Sequence, residues 1–194
     1  MAKESNLKNM LLCLFMVGFV AAALLGGAYV LTYDRIAEAK KEEINKALTV
    51  VVPSFNNNPS DEVIKKEVDG KMVTIYPAFK DSVLVGYAIE ASTTTGFSGL
   101  IVLMVGFLPD GTIHNSVVVS HAETPGLGDK MEQKKGNFSL QFNGKNPKNF
   151  NLAVKKDNGD VDAITAATIS SRAFCDAVRL AYKAFLTIGG DTHE

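Results

Sequence analysis

The pattern of apolar and polar positions changes character several times along the chain. Residues 10–33, MLLCLFMVGFVAAALLGGAYVLTY, carry no charge. A helix of that run extends roughly 36 Å at about 1.5 Å of rise per residue, against a hydrocarbon core of about 30 Å. A transmembrane helix is expected there, preceded by a short N-terminal segment, residues 1–9. The run exceeds the roughly 7–15 apolar residues of a cleavable signal peptide, so an uncleaved anchor is expected. Arg35, Lys40, Lys41 and Lys46 after it outnumber Lys3 and Lys8 before it. Flanking charge therefore leaves its orientation open, because a large domain translocates despite such a bias.

Residues 34–70 read as a juxtamembrane helix and connector. Tyr33, Ile36, Ala37, Ile44, Ala47 and Leu48 fall near one helical face among Lys and Glu, until Pro53 stops the helix. The period then shortens. KMVTIYPAF, SVLVGYAIEAS, GLIVLMVGFL and TIHNSVVVSH are short runs rich in β-branched and aromatic residues, separated by turn formers. Pro109, Asp110 and Gly111 make a turn between the last two, and a meander of antiparallel strands follows from the pattern. Asn158-Gly159 is a second hairpin signal, with Leu152 and Val154 before it and Val161 after it. Beyond it Ile169, Ala173, Ala177, Val178, Ala181 and Phe185 recur at helical spacing, as on a helix packed against a sheet, and Gly189-Gly190 supplies the stop. The expected architecture is α+β: one N-terminal transmembrane helix, then a single domain over residues 71–194 with an antiparallel sheet and packed helices.

The 194 residues carry a formal net charge of -1, which suits one modest domain and does not point to nucleic acid. Cys13 lies in the apolar run and Cys175 far from it, so no disulfide is expected. His114, His121 and His193 are scattered, and neither a zinc set nor a haem attachment motif is present, so the expectation is no metal site. Any redox chemistry must come from an organic cofactor.

The stretch DAITAATISS, residues 162–171, gathers small hydroxyl residues where the last helix is about to begin. A helix starting near Thr168 leaves its first amides unpaired and presents about half a positive charge, so Thr165, Thr168, Ser170 and Ser171 would surround a phosphate site. The plainer reading makes Thr165 or Thr168 an N-cap contributing about 1 kcal/mol. Upstream, SHAETPGLGDK, residues 120–130, offers a type II turn at Pro125-Gly126 and glycines at 126 and 128 that let backbone approach a flat ligand.

Asp162, Thr165, Ala167 and Thr168 resemble the flavinylation motif of the FMN-binding domain family, Asp-x-x-Ser/Thr-Gly-Ala-Thr. The upstream stretch resembles that family's His-x-Glu-Thr-Pro-Gly-Leu-Gly signature, in the same order along the chain. The resemblance implies FMN esterified through its phosphate to Thr168, with Asp162 and Thr165 recognised by a flavin transferase. It also implies polar or backbone contacts to the cofactor from His121, Glu123, Thr124, Gly126, Leu127 and Lys130. One departure stands out: Ala166 occupies the usual glycine position. If that position needs a positive φ, alanine costs roughly 1 kcal/mol, and if it is helical, nothing. The glycine-flanked aromatic Phe97 before a buried strand is a third, weaker likeness.

Over nearly its whole length the chain resembles the RnfG family, the G-type subunits of Rnf electron-transport complexes. The alternative within the resemblance is the related C-type subunit of sodium-translocating NADH:quinone reductases, which is longer, and the short span between anchor and first strands favours the G type. The resemblance implies a single-pass flavoprotein of the cytoplasmic (inner) membrane with its domain on the outer, periplasmic side. It would relay electrons between other membrane subunits of a complex that couples ferredoxin and NAD redox to ion translocation. It would not be catalytic alone, and no protein acid, base or nucleophile is assigned. Two readings from other classes compete: a membrane-anchored hydrolase using Ser170 with His121 and Glu123, and a non-redox scaffold. Neither has a supporting motif, and no G-x-S-x-G elbow is present.

Overall fold

A computed structural model describes residues 6–189, so Lys3, Gly190 and His193 lie outside the described residues. The chain divides into two compact units between Glu43 and Ile44. The first is helical from Leu7, the start of helix α1 (Leu7–Val51). It contains an apolar window, wholly exposed, that is long and apolar enough to cross a membrane. Its large side chains, Leu11, Phe15, Phe19 and Leu25 among them, lie open around the helix, as a span facing lipid requires.

The second unit begins with the last two turns of α1 and continues into strands β1 (Ile64–Val68), β2 (Lys71–Lys80), β3 (Val83–Gly96), β4 (Gly99–Phe107) and β5 (Ile113–His121). They form one sheet in sequential order, each pair antiparallel, which is the expected meander. Alternation along the strands sends Ile75, Ile89, Leu103, Val105 and Phe107 to one face. There they meet Ala173, Ala177, Val178, Ala181 and Phe185 of helix α2 (Thr168–Gly189). Ile169 departs from the expected stripe: it is half-exposed, because the first turn of α2 lies at the rim of this core.

The opposite face is covered in part by Ala47, Leu48 and Val51 of α1 against Tyr76, Ala78, Ala88 and Met104. Backbone meets backbone here, since a Cβ on Gly106 would lie 1.7 Å from the Val51 carbonyl oxygen. His114 Nδ1 donates to that oxygen at 3.1 Å, and the Asn115 amide donates to the Val50 carbonyl at 3.2 Å. Two of the carbonyls that a helix end leaves unpaired are thereby satisfied.

Two further features depart from the sequence reading. β1 falls in the stretch read as connector. It is an edge strand carrying Lys65, Lys66 and Glu67, with only Val68 buried, so its hydrophobic signal is faint. Asn158-Gly159 does not close an antiparallel hairpin. Lys155–Asp157 forms a 3-10 turn ending at a left-handed Asn158, and Val154 bridges Val161 in parallel. Both valines are fully buried, which is what the apolar positions signalled.

The segment between β5 and α2 contains short 3-10 turns at Gly128–Met131 and Phe138–Phe142. It is held down by aromatic contacts: Phe138 meets Phe174 of α2 edge-on at 5.2 Å between centroids, and Phe142 lies 5.0 Å from Phe174. Such pairs contribute about 0.5–1.5 kcal/mol each beyond their buried area. They fix this segment against the beginning of α2, where both sequence motifs converge.

Candidate functional site

Residues 164–167 form a tight turn that leads into α2. The Ala167 amide donates to the Ile164 carbonyl at 3.0 Å, and Ala166 in third place has φ +61°. The position held by alanine is thus left-handed, a conformation that costs a residue with a Cβ roughly 1 kcal/mol more than glycine. The Ser171 hydroxyl braces the turn from below, accepting from the Ile164 amide at 2.9 Å and donating to the Ala167 carbonyl at 3.0 Å.

Ala167 accepts the first intrahelical bond, from the Ser171 amide, so Ala167 is the N-cap and Thr168 the first helical residue. The capping role considered for Thr165 and Thr168 is not present: neither hydroxyl makes a hydrogen bond among the described residues. Thr168 is half-buried and Thr165 exposed. The ring of four hydroxyls around an anion also fails to form. Ser170 and Ser171 are buried and engaged internally, leaving only the two threonines free.

The upstream motif forms the expected type II turn. The Leu127 amide donates to the Thr124 carbonyl at 3.2 Å, and Gly126 in third place has φ +79°. Thr124, Gly126 and Leu127 are exposed. His121 and Glu123 point elsewhere. The Glu123 amide donates to His121 Nδ1 at 3.0 Å, which assigns the ring proton to Nε2, and Nε2 donates to Glu132 Oε1 at 2.7 Å. The bonds from His121 and then from Lys135 hold the Glu132 carboxyl below the usual carboxylate range. Glu123, 4% exposed, accepts from the Ser98 amide at 2.9 Å and from the Ser170 hydroxyl. The register makes this meeting possible: His121 pairs with Ile101 near the start of β4, beside the β3–β4 hairpin that carries Ser98.

Three of the residues named from sequence share a cleft of about 390 Å³. Lys130, Asp162 and Thr165 line it with Gly136, Asn137, Phe138, Gln141, Ala163 and Ile164. Asp162 is exposed, its carboxylate pairs with Lys155 at 2.7 Å, and its backbone is clasped by the Gln141 amide group through both N–H and C=O. Thr168, His121, Glu123, Thr124, Gly126 and Leu127 do not line this cleft. Thr168 joins the other group through Ser170 in its own first turn. Phe97, 68% exposed, Leu127 and Ile169 add apolar surface on the same three segments that Glu123 connects. Sequence reasoning missed Ile169 as a surface residue and Ser98 as a partner; Phe97 between two glycines was the available signal.

The Ser-His-Glu arrangement of a hydrolase is not assembled. Ser170 is 2% exposed and bonded to Glu123, while both nitrogens of His121 are engaged with other groups. The histidine base therefore does not face the serine, and the serine is closed to a substrate. Cys175 is also inert, since burial pushes its thiol up to about 12.

The sequence profile of the FMN-binding domain family matches residues 96–183, which include both motifs. The Haemophilus influenzae protein named as the G subunit of an ion-translocating oxidoreductase complex is 37% identical, over 81% of this chain and 81% of the relative. The proteins of the same name from Shewanella piezotolerans and Pasteurella multocida are 33% and 34% identical, over 92% and 86% of this chain and 89% and 87% of theirs.

Proposed function

The chain belongs to the RnfG family, the G-type subunits of ion-translocating oxidoreductase (Rnf) complexes, and on that premise we propose that it is the complex's membrane-anchored flavoprotein, with FMN attached covalently at Thr168. The observation that carries the attachment is the state of one hydroxyl. Thr168 Oγ is the hydroxyl in the first turn of α2 that is both accessible and without a hydrogen bond, while Ser170 and Ser171 are locked inside.

The surroundings fit a phosphate ester bearing a flat ring. Thr168 opens a long helix whose positive end favours an anion, and Phe97, Leu127 and Ile169 offer apolar surface nearby. FMN held there supplies a group that takes up and releases electrons one or two at a time. The protein's own part is to hold, orient and retain it. Forming the ester requires a donor whose flavin phosphate is part of a phosphoanhydride. The Thr168 oxygen bonds to phosphorus, the anhydride P–O bond breaks, the second phosphate leaves with the electron pair, and the hydroxyl proton passes to solvent.

A flavin transferase would bring that donor, reading Asp162 and Thr165 beside the cleft. Asp162 is well presented for this, exposed and fixed by Gln141 and Lys155. The anchor would keep the flavin close to the other membrane subunits, raising its effective concentration toward them. On this reading the domain lies on the outer side of the cytoplasmic membrane and relays electrons, and turnover belongs to the assembled complex.

The test is covalent incorporation. Full-length protein co-expressed with a flavin transferase should carry flavin that survives denaturation. Thr168→Ala should lose all of it while retaining a cooperative melt. A denatured Thr168→Ala protein still bearing flavin would refute the assignment.

A further inference from the structure

We propose that Glu123 is a positioning residue for the flavin attachment turn rather than a contact to the cofactor; this rests on the attachment at Thr168 proposed above. Its carboxylate is buried, and no Lys, Arg or His forms an ion pair with it among the described residues. Both oxygens act as acceptors, one from the Ser98 amide and one from the Ser170 hydroxyl, which is the bonding pattern of the charged form. A buried charge without a counter-ion is costly unless fixed dipoles replace its water. Here the dipoles come from two segments, the β3–β4 hairpin through the Ser98 amide and the first turn of α2 through the Ser170 hydroxyl, and the carboxylate ties both to the loop after β5.

The space around the carboxylate is shaped for it. A Cβ on Gly96 would lie 2.7 Å from Oε1, and one on Gly128 2.8 Å from Oε2 and 2.6 Å from Ser170 Oγ. The hairpin and the loop are thereby able to close on the carboxylate.

Ser170 shares its turn with Thr168, two residues on. Glu123 therefore grips the first turn of α2 through a side chain of that turn, not through the helix's own unpaired amides. Two consequences follow. The turn is pinned so that Thr168 offers its hydroxyl outward. A fixed negative charge beside the attachment point opposes uptake of electrons by a flavin held there, which lowers its potential.

The experiment uses full-length protein, a flavin transferase and its flavin donor, with three variants followed by intact mass, thermal melting and redox titration. Glu123→Ala removes both bonds and should slow the initial rate of labelling at least tenfold. Ser170→Ala removes one bond at little risk to folding and should slow it about threefold. Glu123→Gln keeps the shape, because its amide oxygen can face Ser98 while the Ser170 hydroxyl reverses to accept. It should label within twofold of wild type yet hold its flavin at a more positive potential. That last shift would not arise from a merely structural role. Labelling of folded Glu123→Ala or Ser170→Ala at the wild-type rate, or an unchanged potential in Glu123→Gln, overturns the proposal. Failure of the wild-type protein to label would instead remove the reading on which it rests.

Discussion

Two turns frame the site, and they solve the same geometric problem with different residues. Thr124-Pro125-Gly126-Leu127 and Ile164-Thr165-Ala166-Ala167 each close with a bond from the fourth amide to the first carbonyl, and each needs a positive φ in third place. The first has proline to preset one φ and glycine to accept the other, so it forms from local preference. The second places a Cβ in the left-handed region and is held there by what surrounds it, above all by the Ser171 hydroxyl. One turn is made by its own residues, and the other is imposed by the helix it precedes.

This contrast yields an ordered set of expectations. The largest effect is on the imposed turn. Ser171→Ala leaves the buried Ile164 amide unpaired and should cost about 1–3 kcal/mol, read as the denaturant midpoint of the domain. Next come reciprocal changes in third place. Ala166→Gly should stabilise by about 1 kcal/mol, and Gly126→Ala should destabilise by about the same. For a domain of this size each kcal/mol corresponds to roughly 2–4 °C in melting temperature. Equal and opposite shifts would sharpen the comparison, whereas a loss of stability in Ala166→Gly would break it.

The smallest effect is electrostatic and belongs to the first turn alone. Glu132 has a lowered pKa when folded, through its bonds from His121 and Lys135. Its contribution is therefore complete above the unfolded carboxyl value, about 4.5, and is lost as pH falls through the lower folded value. The melting gap between wild type and Glu132→Gln should close below about pH 4.5, while the gap for Ser171→Ala should not change with pH.

Much of the fold was legible because its signals are local. The alternation in β2 to β5 and the helical stripe of α2 each reflect one element's own burial, and the uncharged run in α1 lies within a single helix. What escaped depended on distant partners. β1 is paired yet mostly exposed, so it has little apolar pattern to show. Asn158-Gly159 carries a hairpin's residues, but the burial of Val154 and Val161 dictates a tighter loop. At the site, the structure separates the residues that the sequence marked into different environments. Thr168 and Thr165 keep free hydroxyls, Lys130, Asp162 and Thr165 share a cleft, and Glu123 turns inward to a serine 47 positions away. The sign of φ at Ala166, which decides whether alanine is strained, is likewise set by the Ile164 and Ser171 contacts.

The most direct measurement is the intact mass of the denatured full-length protein after co-expression with a flavin transferase, followed by peptide mapping. One FMN group, carried on the peptide at Thr168 and absent from Thr168→Ala, is the predicted result. An unmodified mass, or the same addition mapped to Thr165 or any other residue, would contradict the account.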